Sequence, residues 1–363
     1  MKPKIIHIID SFSKGGAEIL LAGIVPYLTE YDNYIIYLTT TPNPLTVPSS
    51  VYIECIEYRG LKDIFRTAKK LKKRFKEINP DIVHTHLIYA TFFSRILLNK
   101  NIPIITSFHN AYYQIKYSTR IARIKNIIIQ KLDQLTYSSS DTIIHVSKNQ
   151  QILNDADVGI KKSTVLYNYA ENIFFDSHIT DFASRDFSKL TIISVGNLKT
   201  EKNHILLLQA IQQIRDIPLQ LDIYGEGSDR SMLQKYIDEN NLPVILKGST
   251  DSIEKILPQY NLFIQASVIE GFGISVAEAM AIGIPVLLSD ISTFKEITDN
   301  KAMFFQNNNI QDLVNQIQKI YNDPIISIQA AVKCKEVAER YRKEMYLKKI
   351  KSIYTEVLNR KSE

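Results

Sequence analysis

The chain has 363 residues, of which 45% are hydrophobic and 23% charged, a length that suits two domains with a core each. No apolar run approaches the ~20 residues of a membrane-spanning helix, and His7 and Asp10 break the first apolar stretch, which excludes a secretory signal. Two lone cysteines, Cys55 and Cys334, exclude a disulfide framework and a cysteine metal motif. We therefore expect a globular cytoplasmic enzyme.

The net charge of +6 is unevenly distributed. Residues 1–175 carry 22 Lys+Arg against 14 Asp+Glu, and the remainder carries 22 against 24. Residues 59–76 hold nine basic residues and one acid, with apolar residues at helical spacing, and predict a basic amphipathic helix. Its basic face is either an ordinary solvated surface or a site for an anionic membrane on the inner face of the cell. No aromatic-interleaved basic motif is present, so nucleic acid is not an expected partner.

Strand-like and helix-like patterns alternate along the whole chain, which is typical of α/β architecture. In the first half we predict strands at 4–9, 34–38, 51–55, 82–85, 104–107, 142–146 and 164–166, and helices near 17–30, 61–78, 89–98, 120–138 and 147–155. A polar, irregular segment at 167–189, which includes Asp181 and Ser184, is the expected linker. In the second half we predict strands at 191–195, 219–224, 244–247, 262–265, 285–289 and 302–305, with helices between them.

This alternation predicts two sequential Rossmann-like, doubly wound domains with a cleft between them. The first domain is expected over 1–175 and the second over 190–344. A C-terminal helix near 345–363 is expected to pack back on the first domain.

The most informative motif is IQASVIEGFGISVAEAMAIGIPVLLSD, where a strand leads through a glycine turn into a helix and a second strand. Gly271 and Gly273 allow the backbone to approach a ligand, and the first amides of the helix are suited to phosphate. Glu270 before the helix and Glu278 one turn inside it flank this cradle. An anion cradle between two carboxylates suits a sugar nucleotide, because amides hold pyrophosphate and carboxylates accept hydrogen bonds from hydroxyls.

Further loops with glycine or lysine lie between predicted strands and helices. Gly15 and Gly16 in DSFSKGGAE mark either a ligand-binding turn or a plain connection. In TIISVGNLKTEKN, Lys202 would place a point charge on phosphate, with Lys199 assisting. Gly225 in IYGEGSDR belongs to a weak G-x-G motif, for which a simple turn is the alternative.

Three histidines lie near predicted strand ends. His84 and His86, in DIVHTH, are two residues apart and therefore on one face of a strand, and His109 ends the next strand. No acidic or cysteine partner accompanies them at ligand spacing, so we predict no metal. These residues are expected to line a substrate cleft instead.

Taken together, six motifs in order along nearly the whole chain resemble the retaining family-4 glycosyltransferases of the GT-B fold. They are SFSKGGAE, DIVHTH with SFHN, HVSK, VGNLKTEKN, IYGEGSDR and EGFGISVAEAMAIGIPV, the last being similar to the E-x7-E signature.

The resemblance implies a metal-independent, hexosyltransferase-type enzyme that needs no cofactor and uses a nucleotide-diphosphate sugar, with a UDP-sugar favoured. The two residues it places at the reaction centre are His109 and Glu270, and the latter would hold the sugar hydroxyls. The resemblance also implies that Lys202, Lys199 and Gly16 bind the diphosphate. The remaining donor contacts it implies are Asn197, Gly225, Lys247, Gly271, Phe272, Gly273, Ile274 and Glu278. The acceptor side would include His84 and His86.

Asn197 departs from the family pattern, which commonly has Arg at this position, so a bidentate phosphate contact is lost. The resemblance implies a glycan or lipid-linked acceptor, as in bacterial surface polysaccharide synthesis. Two alternatives stay open: a nucleotide-sugar epimerase of the same fold, and a non-catalytic transferase-like partner subunit.

Overall fold

The computed structural model describes residues 1–98, 102–110, 112–114, 120–138, 141–176 and 185–362. The chain divides into two compact units, one formed by Met1–Asn168 with Glu344–Glu363 and the other by Tyr169–Lys343. The first unit therefore ends at Asn168, whereas the sequence placed its end at 175. Within the expected linker, residues 177–184, including Asp181 and Ser184, lie outside the described residues, as does residue 363 of the C-terminal helix.

The described part of the first unit contains a seven-stranded, all-parallel sheet in the order β3-β2-β1-β4-β5-β6-β7. Its strands are β1 (Lys4–Ile9), β2 (Asp32–Tyr37), β3 (Tyr52–Cys55), β4 (Ile82–His86), β5 (Ile104–Phe108), β6 (Thr142–His145) and β7 (Ser163–Val165). Its helices are α1 (Gly16–Ile24), α2 (Ile64–Ile78), α3 (Ile88–Leu97), α4 (Arg120–Thr136) and α5 (Lys148–Val158).

The described part of the second unit contains a six-stranded, all-parallel sheet in the order β10-β9-β8-β11-β12-β13. Its strands are β8 (Leu190–Val195), β9 (Leu219–Tyr224), β10 (Val244–Gly248), β11 (Leu262–Gln265), β12 (Val286–Ser289) and β13 (Met303–Phe305). Its helices are α6 (Asn172–Asp176), α7 (His204–Gln213), α8 (Arg230–Asn240), α9 (Ile253–Ile256), α10 (Ile274–Ile282), α11 (Ser292–Ile297), α12 (Ile310–Asn322) and α13 (Pro324–Ala338).

The central strands are buried on both faces, which explains why they read as nearly continuous apolar runs. Every residue of β4, β5, β11 and β12 is buried. Helices supply the covering layers: Leu71 and Phe75 of α2 pack against Ile6 and Ile36 in the first core. The predicted α/β class, with two doubly wound parallel sheets, is confirmed.

The predicted helix at 17–30 is wrong in its second half. The α-helix ends at Ile24, and Val25–Tyr27 forms a 3-10 turn. Pro26 lies in that turn, and proline removes a backbone donor and clashes with the preceding helical turn.

The basic helix predicted near 61–78 exists as α2, preceded by a 3-10 turn over Leu61–Asp63. Its apolar face packs on the sheet through Leu71 and Phe75, whereas Phe65 in its first turn is 87% exposed. Much of its charge is paired: Arg74 contacts Glu54, and Arg66 contacts Asp63.

The C-terminal helix α14 (Lys343–Ser362) packs mostly with the first unit. Tyr354 is fully buried and stacks edge-on against Tyr31 at a ring-centroid distance of 5.5 Å. Among the described residues, no helix combines the length and the hydrophobicity that crossing a bilayer requires.

Candidate active site

Each sheet has one point at which its strand order reverses, between β1 and β4 in the first unit and between β8 and β11 in the second. In open α/β sheets, ligands bind outside the carboxyl ends of the strands at such a point. The candidate residues of each unit lie just beyond these strand ends.

Lys202 and Glu270 are brought together in the second unit. Lys202 ends a 3-10 turn after β8, and Glu270 follows β11. The Lys202 ammonium contacts Oε1 of Glu270, and Ser267 Oγ donates a 2.9 Å hydrogen bond to the same oxygen. The two charged side chains are only 19% and 10% exposed. The site thus holds a partly desolvated ion pair, in which charge interactions are stronger than in water.

The glycine turn after Glu270 leads directly into α10. Gly273 precedes the helix with φ +93°, and no side chain caps the helix N-terminus. A Cβ at Gly273 would lie 2.9 Å from the Phe294 ring, so the left-handed backbone and the tight packing both require glycine. Phe272 is buried with its ring against Tyr341, so it can offer a ligand only its backbone.

Glu278 lies one turn inside α10, which begins at Ile274. Burial, with smaller contributions from the carboxylates of Glu171 and Glu254, raises the pKa of Glu278 to about 8. At neutral pH the ligand-free protein therefore holds this group mainly as the neutral acid, which can donate as well as accept a hydrogen bond.

The loops after β8 and β9 touch through their backbones. A Cβ at Gly225 would lie 2.0 Å from the carbonyl oxygen of Gly196, and Gly225 has φ +141°. The Leu198 amide donates to the carbonyl of Glu226 across the same contact. Gly225 is therefore required for packing, and a direct contact with a ligand stays a prediction.

The other predicted donor ligands differ in their surroundings. Asn197 and Lys199 are exposed in the loop after β8. Lys247, in β10, lies 3.2 Å from Oδ2 of Asp222, which also accepts a 2.7 Å hydrogen bond from Tyr260. The Lys247 ammonium is therefore already paired, and a nucleotide base would have to compete with Asp222 for it.

Buried histidines surround the reversal point of the first unit. His84 bonds Tyr354 and Ser107 through its two ring nitrogens, at 2.7 and 2.8 Å. Nδ1 of His86 lies 3.1 Å from Nε2 of His109. His84 and His86 were expected to line the acceptor side, but they are 0% and 2% exposed. The hydroxyls of Tyr354 and Ser107 hold His84 within the protein interior, and a direct contact of either histidine with an acceptor stays a prediction.

These histidines are neutral at physiological pH. Burial lowers the pKa of His109 to about 4, and it lowers the pKa of His84 and His86 well below the usual value. His109 Nδ1 and His86 Nε2 are buried without a hydrogen-bond partner in the described structure. A neutral imidazole beyond the end of β5 can donate or accept one hydrogen bond to a ligand.

Ring nitrogens of His7, His84 and His86 lie within 4.8 Å of one another, a spacing that invites comparison with a metal centre. Both nitrogens of His84 are engaged with hydroxyls. A cation would have to displace one of these bonds, so the cluster fits a hydrogen-bonded core better than a preformed metal site.

Two carboxylates that the motif analysis did not assign lie near the first glycine loop. Asp10 accepts hydrogen bonds from the Tyr89 and Ala90 amides at the start of α3, and burial raises its pKa to about 7. Glu18 accepts from Ser11 over 2.6 Å, and its carboxylate lies 2.3 Å from where a Cβ on Gly15 would be. A phosphate at Gly16, the first residue of α1, would therefore require Glu18 to move. Both acids are visible in DSFSKGGAE, but only the fold reveals their contacts.

Comparison with known families agrees with this arrangement. Residues 14–169 match the family described as Glycosyltransferase Family 4, and residues 180–343 match Glycosyl transferases group 1. The chain belongs to these GT-B glycosyltransferases. Together the two matches include every site residue that the sequence predicted, from Gly16 to Glu278.

Two curated relatives show the range of similarity within the family. A poly(ribitol-phosphate) alpha-N-acetylglucosaminyltransferase of Staphylococcus aureus is 32% identical over 49% of this chain, and the match spans only 38% of that protein. A Campylobacter jejuni transferase that acts on a diphospho-undecaprenol acceptor, a 4-alpha-N-acetylgalactosaminyltransferase, is 28% identical over 78% of this chain and 79% of its own length.

Solved structures share the fold over nearly the whole chain. Sucrose-phosphate synthase from Thermosynechococcus elongatus has a TM-score of 0.83 at 16% identity, covering 98% of this chain and 99% of that one. Anabaena HepE in complex with UDP-glucose has a TM-score of 0.77 at 17% identity, covering 97% and 99%. At such low identity these likenesses show the GT-B fold alone.

Proposed function

We propose that this glycosyltransferase moves a hexose, with retention of configuration, from a nucleotide-diphosphate sugar to a glycan or lipid-linked acceptor. The observation that carries the proposal is the Lys202–Glu270 pair beside the glycine turn of α10. It combines a cation for phosphate, a carboxylate for hydroxyls and a helix N-terminus for an anion within one unit.

Each group has a role in this proposal. Lys202 leaves Glu270 for the diphosphate, and Glu270 then accepts hydrogen bonds from the sugar hydroxyls. The backbone from Gly271 to Ile274 faces the sugar and pyrophosphate. Glu278, one turn inside α10, bonds the two ribose hydroxyls through its carboxyl group.

The chemistry is departure of the nucleoside diphosphate. As the bond between the anomeric carbon and the phosphate oxygen breaks, negative charge grows on that oxygen, and Lys202 and the amides of α10 stabilise it. This stabilisation needs no divalent metal. His109, held neutral by burial, offers a hydrogen bond without adding charge.

The nature of donor and acceptor is supported by relatives. HepE is described in complex with UDP-glucose, which favours UDP as the carrier. The Campylobacter relative is named for a lipid-diphosphate acceptor, and the Staphylococcus relative for a phosphate polymer. We therefore place this chain in the synthesis of a bacterial surface glycopolymer.

Calorimetric titration of purified protein with UDP-, GDP-, ADP- and dTDP-sugars, without metal, tests the donor site. We expect one selective carrier, UDP, whose binding Lys202→Met and Glu278→Ala abolish, while Lys189→Met, at the opposite end of β8 from the site, retains it. An NMR assay of the anomeric configuration of the product, made with lipid-linked acceptors, then tests retention.

Other outcomes would favour the alternatives. Conversion of the donor to a second nucleotide sugar without any acceptor would indicate an epimerase. The absence of binding to all four carriers by a folded protein would contradict the transferase proposal and indicate a non-catalytic subunit.

A further inference from the structure

Helix α4 (Arg120–Thr136) turns its polar side toward the protein. Asp133, its one fully buried side chain, contacts Arg95 of α3 and accepts a hydrogen bond from Tyr113. Gln130 and Gln134 donate to the backbone carbonyl of Asp157 at 3.0 and 2.7 Å. An ordinary surface helix does the opposite, because it buries apolar residues and leaves polar ones to water.

The opposite side of α4 is an aliphatic stripe in solvent. Five residues at intervals of three and four form this α4 stripe: Ile121 (82% exposed), Ile124 (48%), Ile128 (54%), Leu132 (43%) and Leu135 (80%). Residues at this spacing share one helix face, and at 1.5 Å per residue the stripe is about 21 Å long. Single exposed leucines are normal in proteins, but a contiguous stripe marks an interaction surface.

The exposed charges of α4 itself are all positive. Arg120, Arg123, Lys125 and Lys131 are exposed, whereas the helix's single acid, Asp133, is buried against Arg95. The cores of protein–protein interfaces are depleted of charge. An anionic lipid surface instead satisfies both features, since aliphatic side chains enter the acyl boundary while lysine and arginine reach the headgroups.

We propose that the α4 stripe docks this protein on an anionic membrane surface. The inference does not depend on the transferase activity, because it uses only the orientation and charge of α4. It also relocates the membrane contact that the sequence suggested at 59–76. Helix α2 has the larger charge, but its apolar face is already packed on the sheet and part of its charge is paired within the protein.

The chain contains no tryptophan, so a single introduced tryptophan reports its own surroundings. In Ile128→Trp the introduced tryptophan lies on the α4 stripe. In the control, Phe65→Trp, it lies on the solvent-exposed side of α2. Vesicles of phosphatidylcholine with phosphatidylglycerol should shift the emission of Ile128→Trp to shorter wavelength and leave Phe65→Trp unchanged. Vesicles of phosphatidylcholine alone should shift neither.

Co-sedimentation with the same vesicles measures how much the aliphatic residues and the lysines of α4 each contribute to membrane binding. We expect Ile124→Ser/Ile128→Ser to weaken binding more than about tenfold, since each loses several buried methylene equivalents. Lys125→Gln/Lys131→Gln should weaken it about tenfold or more at low salt. The matched α2 variant, Lys69→Gln/Lys72→Gln, removes the same charge and should bind within about threefold of wild type. Unchanged thermal melts confirm that these exposed substitutions leave the fold intact.

Several results would overturn the proposal. One is an α2 variant that loses as much binding as the α4 lysine variant, because α2 would then be the contact. Another is a stripe variant that binds like wild type, or equal binding to neutral and anionic vesicles. A dimer that the serine substitutions dissociate, without any vesicle binding, would show that a second copy of the chain covers the stripe.

Discussion

The two units have the same parallel topology and place their candidate residues at the same point of the sheet, yet the chemistry of the two points differs. The second unit has a salt bridge between Lys202 and Glu270. It also has the carboxyl group of Glu278, which is mostly protonated at pH 7. The first has buried histidines, of which His109 lies just beyond β5. The fold fixes where a ligand can bind, and the side chains decide what it can be.

The difference suggests how the two units can bind different parts of the substrates. Fixed charge in the second unit suits a diphosphate and a departing anion. Neutral hydrogen-bonding groups in the first suit hydroxyls, because they orient a sugar without attracting the diphosphate to the wrong place. Changing the charge at each point, one group at a time, tests this division.

The largest effect is expected for Lys202→Met, which keeps the apolar stem and removes the charge. We expect kcat/KM to fall about 10²–10³-fold, the loss typical of removing one group that stabilises developing negative charge. Lys189→Met, which changes an exposed lysine just before the opposite end of β8, is the matched control and should change kcat/KM less than about threefold. Equal losses in both variants would contradict the assignment of the diphosphate to Lys202.

The glycines of the two units should also respond differently. Gly225→Ala places a Cβ against the backbone carbonyl of Gly196 at positive φ, and we expect a loss of about 3 kcal/mol in the free energy of unfolding. For a unit of this size, that lowers the melting temperature by about 6–12 °C.

Gly15→Ala in the first unit is the comparison. Its new Cβ meets only the end of the Glu18 side chain, which can rotate away, and its φ of −112° suits alanine. We expect a loss below about 1 kcal/mol. Similar melting temperatures for the two variants would show that the close backbone contact at Gly225 is not rigid.

Much of the fold could be predicted from the sequence, because parallel strands buried on both faces give continuous apolar runs. Glu270, Glu278 and the glycine turn could also be predicted, because they lie close together in the sequence within one short strand–turn–helix segment. Local pattern failed where proline intervened, as in the shortened α1.

Long-range contacts could not be predicted. The salt bridge joins residues 68 positions apart and depends on β8 lying beside β11. The burial of His84 depends on Tyr354, 270 positions away. Likewise the sequence identified the basic character of α2, but only the packing of Asp133 reveals that α4 faces outward with its aliphatic side.

Glu278→Gln should weaken donor binding and raise the stability of the ligand-free protein. The pKa of Glu278 is raised, so the folded protein keeps a proton that the unfolded chain releases, and stability is lost as pH rises from about 4.5 to about 8. We expect the glutamine variant to melt higher than wild type at pH 8, with the difference vanishing near pH 4.5, and to bind donor more weakly. Equal melting temperatures at pH 8 would show that folding does not raise the pKa of Glu278.

The smallest effect on stability is expected for His109→Gln. Its pH dependence is opposite to that of Glu278→Gln. Burial lowers the pKa of His109 to about 4, so the unfolded chain takes up a proton that the folded protein does not, and stability is lost as pH falls from about 6.5 to about 4. Melting curves at half-unit pH steps should show the variant losing less stability than wild type over that interval, and the two changing in parallel above pH 7.

The pH dependence of kcat/KM gives a second test of the same group. Because His109 stays neutral above pH 5, the wild-type profile should have no inflection near pH 6.5 that is absent from the profile of the variant. Such an inflection would mean that His109 is charged when ligand binds, and the contrast between the neutral histidines of the first unit and the Lys202–Glu270 ion pair of the second would then fail.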